Sequence, residues 1–306
     1  MADIILHHYE TSPYSEKVRL ALGLKGLAWK SVQIPRIMPK PDLMPLTGGY
    51  RKTPVMQVGA DIYCDTQLIM REIERRHPKP SLYPAGPVGT TDALAWWAEK
   101  AMFTPAVILA FANIAHTVPE DFKKDRAAFS GRNFDPAAMK AMLPYMTDQL
   151  RAHLGWIEAT LAAGRKYLQG EAVGTGDLAA YHCVWFIQRN IGPKAKPLDE
   201  FPKLLDWAAR IAALGHGKPS EMSSKDALAV AKAAKPEAAS KADAHDPAAR
   251  KPGQKVSVTP DDTGKDPVVG ELVASSAQEI AIRRSDPQVG EVVVHFPRAG
   301  FVVAPA

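Results

Sequence analysis

The chain has 306 residues, enough for more than one hydrophobic core, and two or three domains are expected. Its formal net charge of +5 is mild for this length; it suits small anionic substrates and makes no case for nucleic acid. The only cysteines, Cys64 and Cys183, exclude a disulfide framework or a cysteine metal cluster and fit a reducing compartment.

The opening stretch, MADIILHHYETSPYSEK, lacks a basic leader and a small-residue cleavage site, so no signal peptide is expected. No apolar run reads as long enough to cross a bilayer, which leaves a soluble, cytoplasmic chain as the expectation. Ile4, Ile5 and Leu6 predict a first strand, with His7 and His8 on it. After the turn at Thr11-Ser12-Pro13, Val18, Ala21 and Leu22 keep helical spacing up to Gly26. Trp29, Val32 and Ile34 predict a second strand, and a Pro-rich loop runs from Pro35 to Gly49. Val55 to Val58 and Ile62 to Cys64 flank Gly59-Ala60-Asp61 as a hairpin. Asp65 or Thr66 caps the next helix, which ends before Pro78 and Pro80. This β-α-β, β-β-α order predicts a small α/β domain over residues 1–82.

From Asp92 the pattern is helical. Leu94, Trp97, Ala98, Ala101 and Met102 lead to Pro105, where a kink or local bend is expected. A long helix carries Met139 to Leu161 with Gly164 past its end. Residues 177–188, apolar nearly all round, predict a buried central helix. Leu204, Ala208, Ile211 and Leu214 mark one more amphipathic helix, so residues 90–217 form an all-helical domain. Beyond it, residues 218–306 read as a helix (DALAVAKAA), a linker or surface strap, and short strands at Lys255–Val258, Val268–Ala274, Glu279–Arg283 and Glu291–Phe296. Those strands predict a small all-β segment, either an SH3-like barrel or an antiparallel sheet.

Three features carry chemistry. Ser12 stands at a helix start, where a hydroxyl and the helix dipole together favour a bound thiolate; Ser is also a leading helix cap. Thr53-Pro54 enters a strand, the place a sheet tolerates proline. Asp65-Thr66 can hold an α-amino acid head group, the amides and Thr66 hydroxyl taking the carboxylate and Asp65 the ammonium; read alone, the pair is a helix cap.

In this order the motifs resemble the glutathione transferase superfamily over roughly residues 3–215. The pattern S-P-Y-x-x-K-V-R and the segments Tyr167-Leu168-Gln169-Gly170 and Gly176-Asp177-Leu178-Ala179-Ala180-Tyr181 carry the likeness. The resemblance implies a thioredoxin-like domain followed by an all-α domain. It implies that Ser12 contacts the glutathione sulfur, with Tyr9, Tyr14 and Ser15 as neighbouring alternatives. It places Tyr14, Thr53, Pro54, Asp65 and Thr66 around the tripeptide, with Lys40, Arg51 and Lys52 as partners of its glycyl carboxylate. The implied co-substrate is glutathione, with no metal, and the implied partners are a small hydrophobic electrophile and a second copy of the chain. Neither a membrane nor nucleic acid is expected as a partner, because the basic residues of the tail are interleaved with acids and alanines. The expected activity is conjugation of the glutathione thiolate, a detoxifying reaction. Alternatives are a glutathione-dependent isomerase, dehalogenase or peroxidase, or a non-catalytic binding protein that works through its C-terminal β segment. Trp96, Trp97, Phe103 and Phe111 are candidates for the electrophile pocket or, equally, for plain core.

Overall fold

The computed structural model describes residues 2–84, 86–192 and 195–306. Its N-terminal module is built from β1 (Ile5–His8), α1 (Pro13–Leu24), β2 (Ala28–Gln33), a helical turn α2 (Met44–Thr47), β3 (Val55–Val58), β4 (Asp61–Cys64) and α3 (Thr66–Arg76). β1 runs parallel to β2 and antiparallel to β3, and β3 pairs antiparallel with β4: the thioredoxin-like arrangement. Strand alternation sends Leu6 and Met56 to one face, against Val18, Leu22 and Ile69. Ile5, Val55 and Ile62 go to the other.

The helical unit comprises α4 (Val88–Trp97), α5 (Phe103–Ile114), α6 (Glu120–Ser130), α7 (Pro136–Ala162), α8 (Thr175–Ile191) and α9 (Pro202–Ala212). α8 is the central helix the sequence predicts: Leu178 to Val184 are all buried. Its start is held by Asp177, whose carboxylate accepts from Gly174 N (3.2 Å), Leu168 N (2.8 Å) and Trp207 Nε1 (2.9 Å). The bend expected at Pro105 is one π-helical turn, Ala98–Met102, just ahead of α5. Pro105 has no N–H to give the carbonyl four residues back, and the ladder opens there. One expectation is corrected. The run Val88–Thr117, 30 residues, is long and apolar enough to cross a membrane. One face of it, Ala98, Met102, Ala106 and Ala110, is fully buried in the helical unit, and Glu99 and Lys100 are ion-paired.

The remaining chain adds β5 (Lys218–Glu221), α10 (Ser224–Ala233), β6 (Lys255–Pro260), β7 (Val268–Ser275), β8 (Glu279–Asp286), β9 (Gly290–Pro297) and β10 (Phe301–Pro305). Of the two expected β arrangements the antiparallel sheet is the one formed: β10-β6-β7-β8-β9. It does not close into a barrel. β9 pairs parallel with β4, Ile62 opposite Val294, while β5 pairs parallel with β2 at the far side. The result is one ten-stranded sheet with the thioredoxin-like strands inside it. Ile5, Val32, Val55 and Ile62 thereby share a core with Leu228, Val256, Leu272, Val294 and Phe296. The segment between α10 and β6, expected as a linker or strap, is a strap. Lys241 bridges to Ala274, and Asp246 is tied to Arg250 (2.8 Å) and Ser275 (3.1 Å).

At the β4–β9 seam, His295 stacks on Tyr63 (ring centroids 4.5 Å apart) and bonds Asp61 (2.9 Å) and Glu279 (2.6 Å). Burial alone would lower its pKa; the two carboxylates outweigh that and raise it.

Candidate active site

Strand register decides what meets at the end of the sheet. His7 lies opposite Val55, and Val55 opposite Cys64. The turn after β1, the entry to β3 and the exit from β4 therefore converge. These three segments hold Ser12, Thr53-Pro54 and Asp65-Thr66.

Ser12 caps α1, its Oγ accepting from Ser15 N at 3.1 Å, with Pro13 as the first helical residue. Tyr9, at the end of the same turn, has its phenol pKa pushed up by burial. A hydroxyl accepts twice and donates once. With Ser15 N–H as donor to it, Ser12 can give its own hydrogen to an anion at the helix N-terminus. Ser15 is fully buried and its Oγ has no partner among the described residues, so it faces the interior.

The Thr53–Pro54 bond is cis. Asp65 caps α3, accepting from Gln67 N (2.8 Å) with φ +72°, a region few non-glycine residues occupy. Such strain costs on the order of 1–3 kcal/mol and collects at functional sites. Burial pushes the Asp65 carboxyl up and Glu99 adds to this, while the Gln67 amide, Lys52 and Lys17 oppose it. Thr66 is buried, and its hydroxyl accepts from Lys17 Nζ (3.1 Å). Lys17 is also paired with Glu99 at 2.6 Å. The π-helical turn thus delivers Glu99 to the cleft on one side and Lys100 on the other.

The expected carboxylate partners are placed differently from one another. Lys40 is 2% exposed and donates to Arg51 O (3.0 Å) and Thr53 Oγ1 (3.0 Å), bracing the loop before Pro54. Burial, with Arg126 and Arg51 nearby, lowers its pKa to about 7. Arg51 pairs with Asp125 of α6 and lies over the Phe129 ring (5.3 Å). Lys52 pairs with Asp262, in the loop between β6 and β7, and Lys100 reaches the same carboxylate at 3.0 Å.

Tyr14 packs against Phe103 (4.9 Å) and His182 (4.8 Å); burial first, then Glu99, hold its phenol well above the usual range. Phe103 continues to Phe186 (6.1 Å), and Phe186 to Phe111 (5.9 Å), an aromatic wall that begins at Tyr14. Phe103 and Phe111 are thus brought together. Trp97 instead packs on His153 and Trp156, and Trp96 lies under Lys100 (4.7 Å), so neither joins that wall. Sequence reasoning missed Lys17, Glu99, Lys100 and Asp262. Lys17 stood in the quoted S-P-Y-x-x-K motif, and Asp262 between two of the expected strands. Glu99 and Lys100 left no local sign.

Residues 6–81 match the family of glutathione S-transferase N-terminal domains, and residues 106–218 match a domain family described as of unknown function. A GST-like protein of known structure from Pseudomonas syringae superposes over 100% of both chains with 37% identity and a TM-score of 0.83. The chain belongs to the glutathione S-transferase-like proteins. Two further GST-like relatives differ in what they are named for. FtsZ-localized protein A of Caulobacter vibrioides is 26% identical over 181 residues, 57% of this chain and 73% of its own. Glutathione S-transferase U1 of Arabidopsis thaliana is 22% identical over 200 residues, 64% of this chain and 78% of its own. The Pseudomonas superposition covers the full chain and so includes its C-terminal strands.

Proposed function

We propose that this GST-like protein binds glutathione at the end of its sheet and directs the thiolate onto a small apolar electrophile. The convergence of Ser12 at the start of α1 with the strained Asp65-Thr66 turn carries this reading. Ser12 donates to the sulfur and the α1 dipole favours its charge. The α3 amides take the γ-glutamyl carboxylate and Asp65 its ammonium. The wall of Tyr14, Phe103, Phe186 and Phe111 receives the electrophile, so binding and orientation supply much of the rate. A homodimer and a reducing, cytoplasmic setting belong to the same proposal; the resemblance supports the first, and the two buried free thiols suit the second.

A second reading, a binding protein without catalysis, is favoured by one observation. Thr66, Lys52 and Lys100 already have partners inside the chain. The relative named for its localisation with FtsZ keeps that reading in view.

Calorimetry with glutathione on the wild type and Asp65→Ala separates site from scaffold. Affinity is expected to fall about tenfold or more in the variant. Ser12→Ala should lower kcat/KM toward a chloronitroaromatic electrophile about a hundredfold while glutathione still binds. Binding without turnover in the wild type selects the second reading. No binding by the folded wild type overturns the glutathione reading and favours a binding protein that works through its C-terminal β segment.

A further inference from the structure

The loop between β6 and β7, residues 261–267, comes from the C-terminal strands yet contacts both Lys52 of the N-terminal module and Lys100 of the helical unit. Asp262 turns one carboxylate oxygen to Lys52 of the N-terminal module and the other to Lys100 of the helical unit. The backbone N–H of Thr263 also donates to Oδ1, at 2.6 Å. Burial alone would raise this carboxyl; Lys52, the Thr263 amide and Lys100 outweigh it and hold it at about 2.

The loop is seated as well as ion-paired. Gly264 N donates to Phe129 O at 2.8 Å, and Asp261 N to Gly300 O at 3.0 Å. Gly264 has φ +59°, and a Cβ there would come within 2.7 Å of the Phe129 ring. Only glycine combines that backbone with that approach. Both of its partners adjoin the site: Lys52 directly precedes Thr53-Pro54, and Lys100 follows Glu99, which pairs with the Lys17 that holds Thr66.

A carboxylate between two ammonium groups is the arrangement a ligand's own carboxylate would adopt. Resting on the glutathione reading of the cleft, we propose that Asp262 is an internal competitor for the glycyl carboxylate and so determines which thiols the site accepts. A thiol carrying that carboxylate must displace Asp262 from Lys52 and Lys100. A thiol whose glycyl end is uncharged has no such rival, and gains nothing from the lysines either. The wild type therefore discriminates weakly between glutathione and its glycyl monoester. Removing the Asp262 charge frees two cations for the ligand, and glutathione alone benefits, because its charge-assisted bonds are the ones restored.

The test is calorimetry of glutathione and of its glycyl monoester on the wild type and Asp262→Asn. It is paired with hydrogen exchange at the Gly264 amide, with sheet amides as the control for folding. In the variant, glutathione should bind about tenfold tighter and the monoester within about threefold of wild type. The Gly264 amide should exchange faster while the sheet amides stay protected. Equal binding of glutathione by wild type and variant overturns the competitor role and leaves the glutathione reading standing. Parallel weakening of both thiols also overturns it, showing Asp262 to be a brace of the site. Failure of both proteins to bind either thiol, with the sheet protected, is the separate signature of an incorrect glutathione reading and removes this proposal with it.

Discussion

Replacing His295 by Gln removes the ionisable side chain that pairs with Asp61 at the β4–β9 seam, the only one among the described residues. Asp61 is 1% exposed and keeps one other bond, from Glu237 N at 2.6 Å. Leaving one member of a buried ion pair uncompensated costs about 3–5 kcal/mol. Glu279, on a more open side chain, adds little to that. The variant should thus lose a large share of a domain's usual stability of roughly 5–15 kcal/mol. The sign with pH follows from the raised pKa. A histidine ordinarily near 6.5, raised in the folded state, contributes fully below about pH 6.5. That contribution is lost as pH rises through the folded value. Within that window the wild type should lose up to about 1.4 kcal/mol per pH unit from this one proton. Urea unfolding of the wild type and His295→Gln between pH 6 and 9 reads both effects. The gap between them should be widest at pH 6 and narrow with rising pH. A gap that is absent at pH 6, or constant across the range, refutes the charged-histidine account of the seam.

Two further perturbations probe the joint between the units. Deleting residues 218–306 strips Leu228, Val256, Leu272, Val294 and Phe296 from a core shared with Ile5, Val55 and Ile62. Each loss is worth roughly 1.5–3 kcal/mol, so the shortened chain should show no cooperative thermal transition. A transition within a few degrees of full length contradicts the shared core. Gly23→Ala would put a Cβ 1.9 Å from Gly215 O, a backbone atom that cannot rotate away. It should cost about 3 kcal/mol in urea unfolding, and a neutral result contradicts the close approach of α1 to the segment after α9.

Most elements were legible because their signals are local. The β3–β4 hairpin, the Asp65 cap, the all-apolar α8 and strands β6 to β9 all stand where period, cap and turn residues put them. β10, from Phe301 to Pro305, went unread, as did α6, a polar helix with no buried residue to give it a stripe. β5 was hidden too: Lys-Pro-Ser-Glu is fully exposed and carries a proline, tolerable because it is an edge strand. The joining of β9 to β4 is a pairing of residues more than 200 positions apart, and no pattern within either strand encodes it. The same limit governs the cleft. Ser12, Thr53 and Asp65 each announce themselves by turn or cap chemistry. Lys100 and Asp262 matter only because three separate segments meet, and before folding they are ordinary surface charges.

The two flanks of the thioredoxin-like strands have a bearing on biosynthesis. β2 and β4 are covered by β5 and β9, both encoded after residue 217. While the ribosome is still making the helical unit, any early pairing of β1 to β4 would leave two open strand edges, the kind of surface that templates association between chains. From Cys64 at the end of β4 to Pro297 at the end of β9, a rate of roughly 5–20 residues per second leaves that edge bare for about 10–50 seconds. Residues 218–306 therefore act as a late closure. Crowded polysomes and premature stop codons near the 3′ end of the message are the circumstances in which this protein is most exposed to misassembly.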